Sequence, residues 1–144
     1  MFRQGVAAIV INDDNKVLMC KRARFCKTNE TENRWQAPQG GVDEGEDLEA
    51  AVRRELSEET GMTSIEVLRK SKGKTRYVLP DWITIKSFEG QEHTWFLIKF
   101  TGDESEIDFE THPDEIEFCD HQWVDPKDVL GYIINFKKNV INKL

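Results

Sequence analysis

The chain opens on two β-rich runs, Val6 to Ile11 and Lys16 to Lys21, separated by Asn12-Asp13-Asp14-Asn15. Asn and Asp side chains bond back to their own backbone and favour tight turns, so the pattern predicts a hairpin. Arg22 to Asn33 is polar and predicts a loop; its stretch Lys27 to Asn33 lacks any apolar anchor, which predicts mobility. Trp35 to Gly41 predicts an extended segment, because Pro38 drives the residue before it out of helix, with Gly40 and Gly41 allowing a sharp turn. From Glu46 to Thr60 strong helix formers follow one another, with acidic residues at the start and Gly61 placed as a C-terminal cap. Ile65 to Arg69 predicts a strand, followed by the basic segment Arg69 to Arg76 and by Tyr77-Val78-Leu79-Pro80. Thr94 to Phe100 reads as a buried strand and Gln122 to Val124 as another. Asp125-Pro126 predicts a helix start, and Ile133 to Leu144 carries apolar residues at helical spacing.

The predicted central helix concentrates the chemistry. At about 100° per residue, Glu58 and Glu59 fall roughly 60° and 40° to either side of Glu55, so three carboxylates share one face. Leu48, Ala51 and Val52 lie over that side, and Glu49, Arg53, Ser57 and Thr60 are expected on the opposite, solvated side. Bare negative charge at the edge of an apolar stripe is disfavoured, and Glu55 and Glu59 repel across one helical turn. A divalent cation removes that conflict. Oxygen ligands without nearby His or Cys suit hard ions, so Mg²⁺ or Mn²⁺ is the expected metal. The plainer alternative is a solvated acidic face with salt bridges to Arg53 and Arg54.

Composition narrows the partners. The 144 residues suit one domain, and 38% hydrophobic with 33% charged residues describes a globular protein. Lys plus Arg number 20 against 27 Asp plus Glu, a formal charge of -7 that argues against a general electrostatic clamp on nucleic acid. Cys20, Cys26 and Cys119 are odd in number and lack CxxC spacing, so reduced thiols and a cytoplasmic location are expected, with no disulfide framework. No stretch approaches the roughly 20 apolar residues of a membrane span, and the apolar run after Arg3 has no signal-peptide cleavage site.

The segment from Gly40 to Met62 resembles the signature of the Nudix hydrolases: Gly40, Glu46, Arg54, Glu55, Leu56, Glu58, Glu59, Gly61 and Met62 all match in spacing. The resemblance implies a single Nudix domain over residues 1–144, with the signature at 40–62. Its fold would be an α/β/α sandwich of the α/β class, with a mixed sheet and a loop-helix-loop catalytic motif. It also implies hydrolysis of a nucleoside diphosphate linked to another group, with more than one metal ion in the site. Carried over by position, Glu55, Glu58 and Glu59 become metal ligands, with the Gly40 carbonyl as a backbone ligand. Arg54 orients a glutamate, and Glu46 braces the loop.

The flanking segments resemble one subgroup, the bacterial RNA 5′-pyrophosphohydrolases and the asymmetrically cleaving dinucleoside tetraphosphate hydrolases. Phe2-Arg3-Gln4-Gly5-Val6, Trp35 to Gly41, Arg76 to Pro80, Gly90-Gln91 with Trp95-Phe96-Leu97, Glu106-Ile107, Glu117-Phe118 with Trp123-Val124, and Phe136-Lys137-Lys138 recur in order. This likeness implies a metal-binding or base role for Glu117, and Phe136 matches a position that stacks on a nucleobase. Arg3, Arg22, Tyr77, Lys137 and Lys138 become candidates for the phosphate chain or the base, with Arg3, Arg22 and Tyr77 ahead of the run Arg69 to Arg76. Trp95, Phe96, Leu97 and Trp123 are most simply core. His93-Thr94 stands where relatives often carry a basic residue, the loop Arg24 to Arg34 is longer than in many of them, and no RNA-binding extension is expected after the last helix. The expected substrate is a nucleotide or an RNA 5′ end, handled by a monomer. The competing readings are a nucleotide-sanitising triphosphate pyrophosphatase and a non-catalytic binding module of the same fold.

Overall fold

A computed structural model describes residues 2–23, 26, 35–78, 90–111 and 116–131. The elements are β1 (Phe2–Ile11), β2 (Val17–Arg22), β3 (Trp35–Gln36), β4 (Gln39–Gly41), α1 (Leu48–Thr60), β5 (Ile65–Val78), β6 (Gly90–Phe100) and β7 (Phe118–Val124). Short 3₁₀ turns follow at Glu104–Glu106 and Pro126–Gly131.

The seven described strands form one mixed sheet. β1 runs parallel to β6 along its whole length, from Phe2 opposite Gly90 to Ile11 opposite Lys99, and β5 pairs antiparallel with the other edge of β6. On its second side β1 pairs with β4, and β2 lies between β3 and β7. Alternation sends Val6, Ala8 and Val10 to one face, where Ala51, Val52 and Leu56 of α1 cover them, and Ala7 and Ile9 to the other, beside Met19, Trp95 and Val129. Both faces of β1 are therefore buried, which is why its sequence is a continuous apolar run and not an alternating one.

Several expectations are corrected. The first two strands meet only at Ile11 and Val17, where Asn12 Oδ1 accepts from the Asp14 and Lys16 amides (both 3.0 Å), and then part to take other partners. Gly40 and Gly41 make no turn: they lie in β4, and the turn falls at Gly45, φ 76°. The strand expected to end at Arg69 runs on through the basic segment to Val78, with a register shift between Lys70 and Lys74. Two of its charges are met within the sheet: Lys74 Nζ donates to Gln4 Oε1 (2.8 Å), and Glu92 pairs with both Lys74 and Arg76. Thr60 is buried, not solvated, because its hydroxyl donates to the Leu56 carbonyl (2.6 Å) and so needs no water. Trp123 is half-buried, stacked on Phe100 with Nε1 donating to Glu104 (2.6 Å).

Cys26 and Cys119 are paired as a disulfide, and only Cys20 is a free thiol. Spacing along the chain cannot reveal a pair 93 residues apart that β2–β7 pairing brings together. The segment 27–33 and the helix predicted from 133 to 144 lie outside the described residues, and Asp125-Pro126 leads into the 3₁₀ turn. Among the described residues no helix is long and apolar enough to cross a membrane.

Candidate active site

The helix that carries the carboxylates is held at both ends. Asp47 caps its start by accepting from the Ala50 amide (3.1 Å), and Gly61, φ 76°, closes its end with an N–H to the Ser57 carbonyl (3.0 Å). Two further end carbonyls are met from the segment after β6: Asp108 N–H donates to Thr60 O (2.8 Å) and the Thr111 hydroxyl to Glu58 O (3.1 Å). In the loop before α1, Glu46 accepts from the Asp43 amide (3.0 Å) and takes Arg54 bidentately, from Nε at 2.8 Å and Nη2 at 2.9 Å. The Arg54 bonds, followed by the Asp43 amide, hold the Glu46 carboxyl down at a pKa of about 2, and Glu46 in turn raises the Arg54 guanidinium. Arg54 also donates to Gly41 O (2.9 Å), Glu55 Oε1 (3.0 Å) and Glu58 Oε2 (3.3 Å), so one side chain ties β4, the loop and the helix.

Glu55 and Glu59 lie inward of this hub. Glu59 is 8% exposed, and burial pushes its carboxyl up to about 10, with the hydrogen bond to Glu55 and the charges of Glu55 and Glu117 adding to the effect. Glu55 is raised in the same direction, mainly by burial. The two carboxyls share a hydrogen bond, which requires that one of them keep a proton. Glu59 Oε2 is buried and has no hydrogen-bond partner among the described residues. Gly40 belongs here for a steric reason: a Cβ added to it would overlap the Glu55 carboxylate, so the bare backbone of β4 and the helix carboxylates can approach one another only at glycine.

A cavity of about 520 Å³ joins these groups to others. Its walls bring together Arg3, Arg22, Gly40, Arg54, Glu55, Glu58, Glu59 and Glu117. Arg3 reaches it from β1, over Gly41, where an added Cβ would stand 2.8 Å from Arg3 Nη2. Arg22 arrives from the end of β2, donating to Gln36 Oε1 (3.2 Å) and lying 3.7 Å from Glu117, which precedes β7 and is exposed. Tyr77 is in register with Gln91, which is in register with Arg3; its side chain, like Phe136, Lys137 and Lys138 entirely, lies outside the described residues. Lys21 pairs in the strand ladder and is absent from the described cavity wall.

Sequence reasoning missed Gln4, Gln91 and His93, which also line the cavity. Alternation in the strand before Trp95 marks Gln91 and His93 as sharing its face, but placing that face beside Arg3 takes the parallel pairing of β1 with β6.

The donor set fits a hard divalent cation: oxygen ligands, one of them buried and unpaired, beside a backbone carbonyl cleared of any side chain. Among the described residues no three acidic or imidazole groups already form a ligating cluster, because Arg54 draws on both Glu55 and Glu58 while Glu55 and Glu59 hold each other.

A mixed sheet carrying a capped helix with three carboxylates on one cavity wall and two further arginines beside them suits cleavage of phosphoric anhydrides. Residues 1–144 match the NUDIX domain family, and the chain belongs to it. Over 143 residues it is 39% identical to the RNA pyrophosphohydrolase of Pelagibacter ubique, covering 96% of this chain and 85% of that protein. The RNA pyrophosphohydrolase of Bartonella henselae is 38% identical over 151 residues, covering 99% and 87%. Among solved structures, the C. elegans Ap4A hydrolase binary complex shares the fold at a TM-score of 0.68, with 16% identity over 98% of this chain and 93% of that one. The protein is thus a hydrolase of phosphoric anhydrides, from a family that generally needs divalent metal ions.

Proposed function

We propose that this protein removes pyrophosphate from triphosphorylated RNA 5′ ends by water attack at phosphorus, with dinucleoside polyphosphates as a related substrate class. One observation carries the reading: a buried, unpaired Glu59 oxygen lies in a cavity that also holds Arg3 and Arg22. That oxygen calls for a cation, and the guanidiniums call for phosphate oxygens, which they take bidentately. The RNA pyrophosphohydrolases that align over nearly the whole chain support the choice of substrate.

Glu55, Glu58, Glu59 and Glu117, with the Gly40 carbonyl, would hold Mg²⁺ or Mn²⁺, more than one ion with substrate present. The metal supplies charge neutralisation at phosphorus and lowers the pKa of a bound water. Arg54 positions Glu55 and Glu58. Arg3 and Arg22 hold the phosphate chain, and Tyr77, Phe136 and Lys137 serve the nucleoside end. The cytoplasm is the compartment that fits such substrates.

Kinetics of triphosphorylated RNA, diadenosine tetraphosphate and oxidised dGTP, compared with Mg²⁺ present, test this. RNA is expected to release pyrophosphate with kcat/KM at least about tenfold above that for oxidised dGTP. A wide preference for oxidised dGTP would identify a nucleotide-sanitising enzyme instead.

A further inference from the structure

The wall of the cavity that carries Arg22 and Glu117 stands where the β2–β7 ladder slips register, between Lys21 and Arg22. Among the described residues, Arg22 pairs with Phe118 in the ladder and donates to Gln36 Oε1 (3.2 Å). Ala23 N–H donates to the Glu117 carbonyl (2.8 Å), and the Arg22–Glu117 ion pair spans 3.7 Å with both side chains partly in water. The Cys26–Cys119 pair adds a covalent tie between the residues that follow Arg22 and the strand after Glu117. We propose that Cys26 and Cys119 form a reversible disulfide that fastens this wall and sets substrate capture according to the redox state of the surrounding thiols.

The geometry supports a bond that can form and break. The two Cα atoms are 6.4 Å apart, within the range that a disulfide spans without backbone movement. Both sulfurs lie over the end of β2, Cys26 Sγ 3.5 Å from the Arg22 carbonyl oxygen and Cys119 Sγ 3.9 Å from that of Lys21. Cys119 is exposed and Cys26 half-buried, so an external disulfide reaches Cys119 first. Cys20 is fully buried, and burial, then Glu59 and Asp120, hold its thiol protonated, which keeps it out of the exchange.

The chemistry is thiol–disulfide exchange with a small disulfide such as oxidised glutathione. The Cys119 thiolate attacks it, forming a mixed disulfide and releasing one glutathione. The Cys26 thiolate then attacks the Cys119 sulfur and releases the second. Two protein thiols are oxidised, one glutathione disulfide becomes two thiols, and the two protein protons leave with them; excess reduced glutathione reverses both steps. Exchange of this kind, not permanent bonding, is what a thiol-rich compartment allows.

The inference rests on the proposed function in taking Arg22 as a phosphate contact and the cytoplasm as the compartment; the bond itself is mapped without any assay of turnover. The full chain is equilibrated in glutathione buffers from reduced to oxidised, quenched by alkylation, and read by peptide mass spectrometry and by kinetics on triphosphorylated RNA. The expected result is a cross-linked Cys26–Cys119 peptide pair, two hydrogens lighter, with Cys20 alkylated only after unfolding. KM should fall by about threefold on oxidation with kcat unchanged, as a wall already ordered binds at lower entropic cost. Cys26→Ser and Cys119→Ser variants should keep the reduced protein's kinetics in every buffer. Persistent glutathione adducts without the intramolecular bond would overturn the proposal, as would a bond that forms and leaves KM unchanged. Failure of the substrate assignment would instead appear as absent RNA turnover in all buffers.

Discussion

Glu59 shows how one buried acid couples stability to metal. Its carboxyl has an ordinary pKa of 4.5 and stands near 10 in the folded, metal-free protein. Between those values the folded state holds a proton that the unfolded state has lost, so stability falls as pH rises through that window. A cation replaces the proton and removes the cost. Thermal melts with chelator at a series of pH values should show this decline, melts with Mg²⁺ a shallower one, and Glu59→Gln a flatter profile still. The same variant, folded and more stable at high pH than the metal-free parent, should lose turnover by about 10² or more, since a metal ligand acts on charge that develops at phosphorus. Unchanged turnover would remove Glu59 from the site. Glu46 works in the opposite sense. Held at about 2 by Arg54, it stabilises the loop above its ordinary value of 4.5 and loses that contribution as pH falls towards 2.

The helix and the strand facing it separate folding from catalysis. Asp47 caps α1 from an exposed position and touches no cavity group, so Asp47→Ala should cost about 1 kcal/mol in a denaturant titration and leave kcat/KM nearly unchanged. Gly40→Ala should do the reverse. The nearest atoms to its new Cβ are the far end of the flexible Glu55 side chain, which can swing aside at small cost to the fold. A displaced Glu55 no longer faces the Gly40 carbonyl, and misplacement on the order of 1 Å is enough to lower kcat about 10²-fold. Parallel melts and rate measurements on the two variants check the pair; equal losses in both would mean that cap and cradle are one structural unit. The helix was legible in the sequence because its formers, its glycine stop and its carboxylate spacing are all local. The role of Gly40 was not. Two adjacent glycines suggest a turn, and only the packing of α1 against β4 reveals that the missing side chain clears space for an acid fifteen residues on. Thr60 was misplaced for a related reason: its hydroxyl satisfies itself on the preceding turn, so a polar residue could be buried on the helix.

Across the whole molecule the charge of -7 is divided, not uniform. Carboxylates gather on α1 and at Glu117, while two of the basic residues of β5, Lys74 and Arg76, pair with Glu92 within the sheet. That second fact was hidden from the sequence, where Arg69 to Arg76 reads as one basic segment; β5–β6 pairing, a contact between distant segments, is what brings Glu92 to Lys74 and Arg76. Among the described cavity residues the cations that Arg54's partners do not occupy are Arg3 and Arg22, and Arg22 is itself paired with Glu117. With those two cavity arginines and a net charge of -7, RNA contact is expected at the 5′ phosphates and the first nucleotides. Each phosphate neutralised on a single strand contributes about -0.7 to the slope of log affinity against log salt, so two arginine contacts give a slope of about -1.4. Measured at fixed free Mg²⁺, KM for a short and a long triphosphorylated RNA of the same 5′ sequence should agree and should share that shallow slope. An extended clamp would instead make the longer RNA bind tighter and steepen its salt dependence. Replacing Arg3 by Gln should flatten the slope by about one phosphate's share in both RNAs alike, which ties the effect to the 5′ end and not to length.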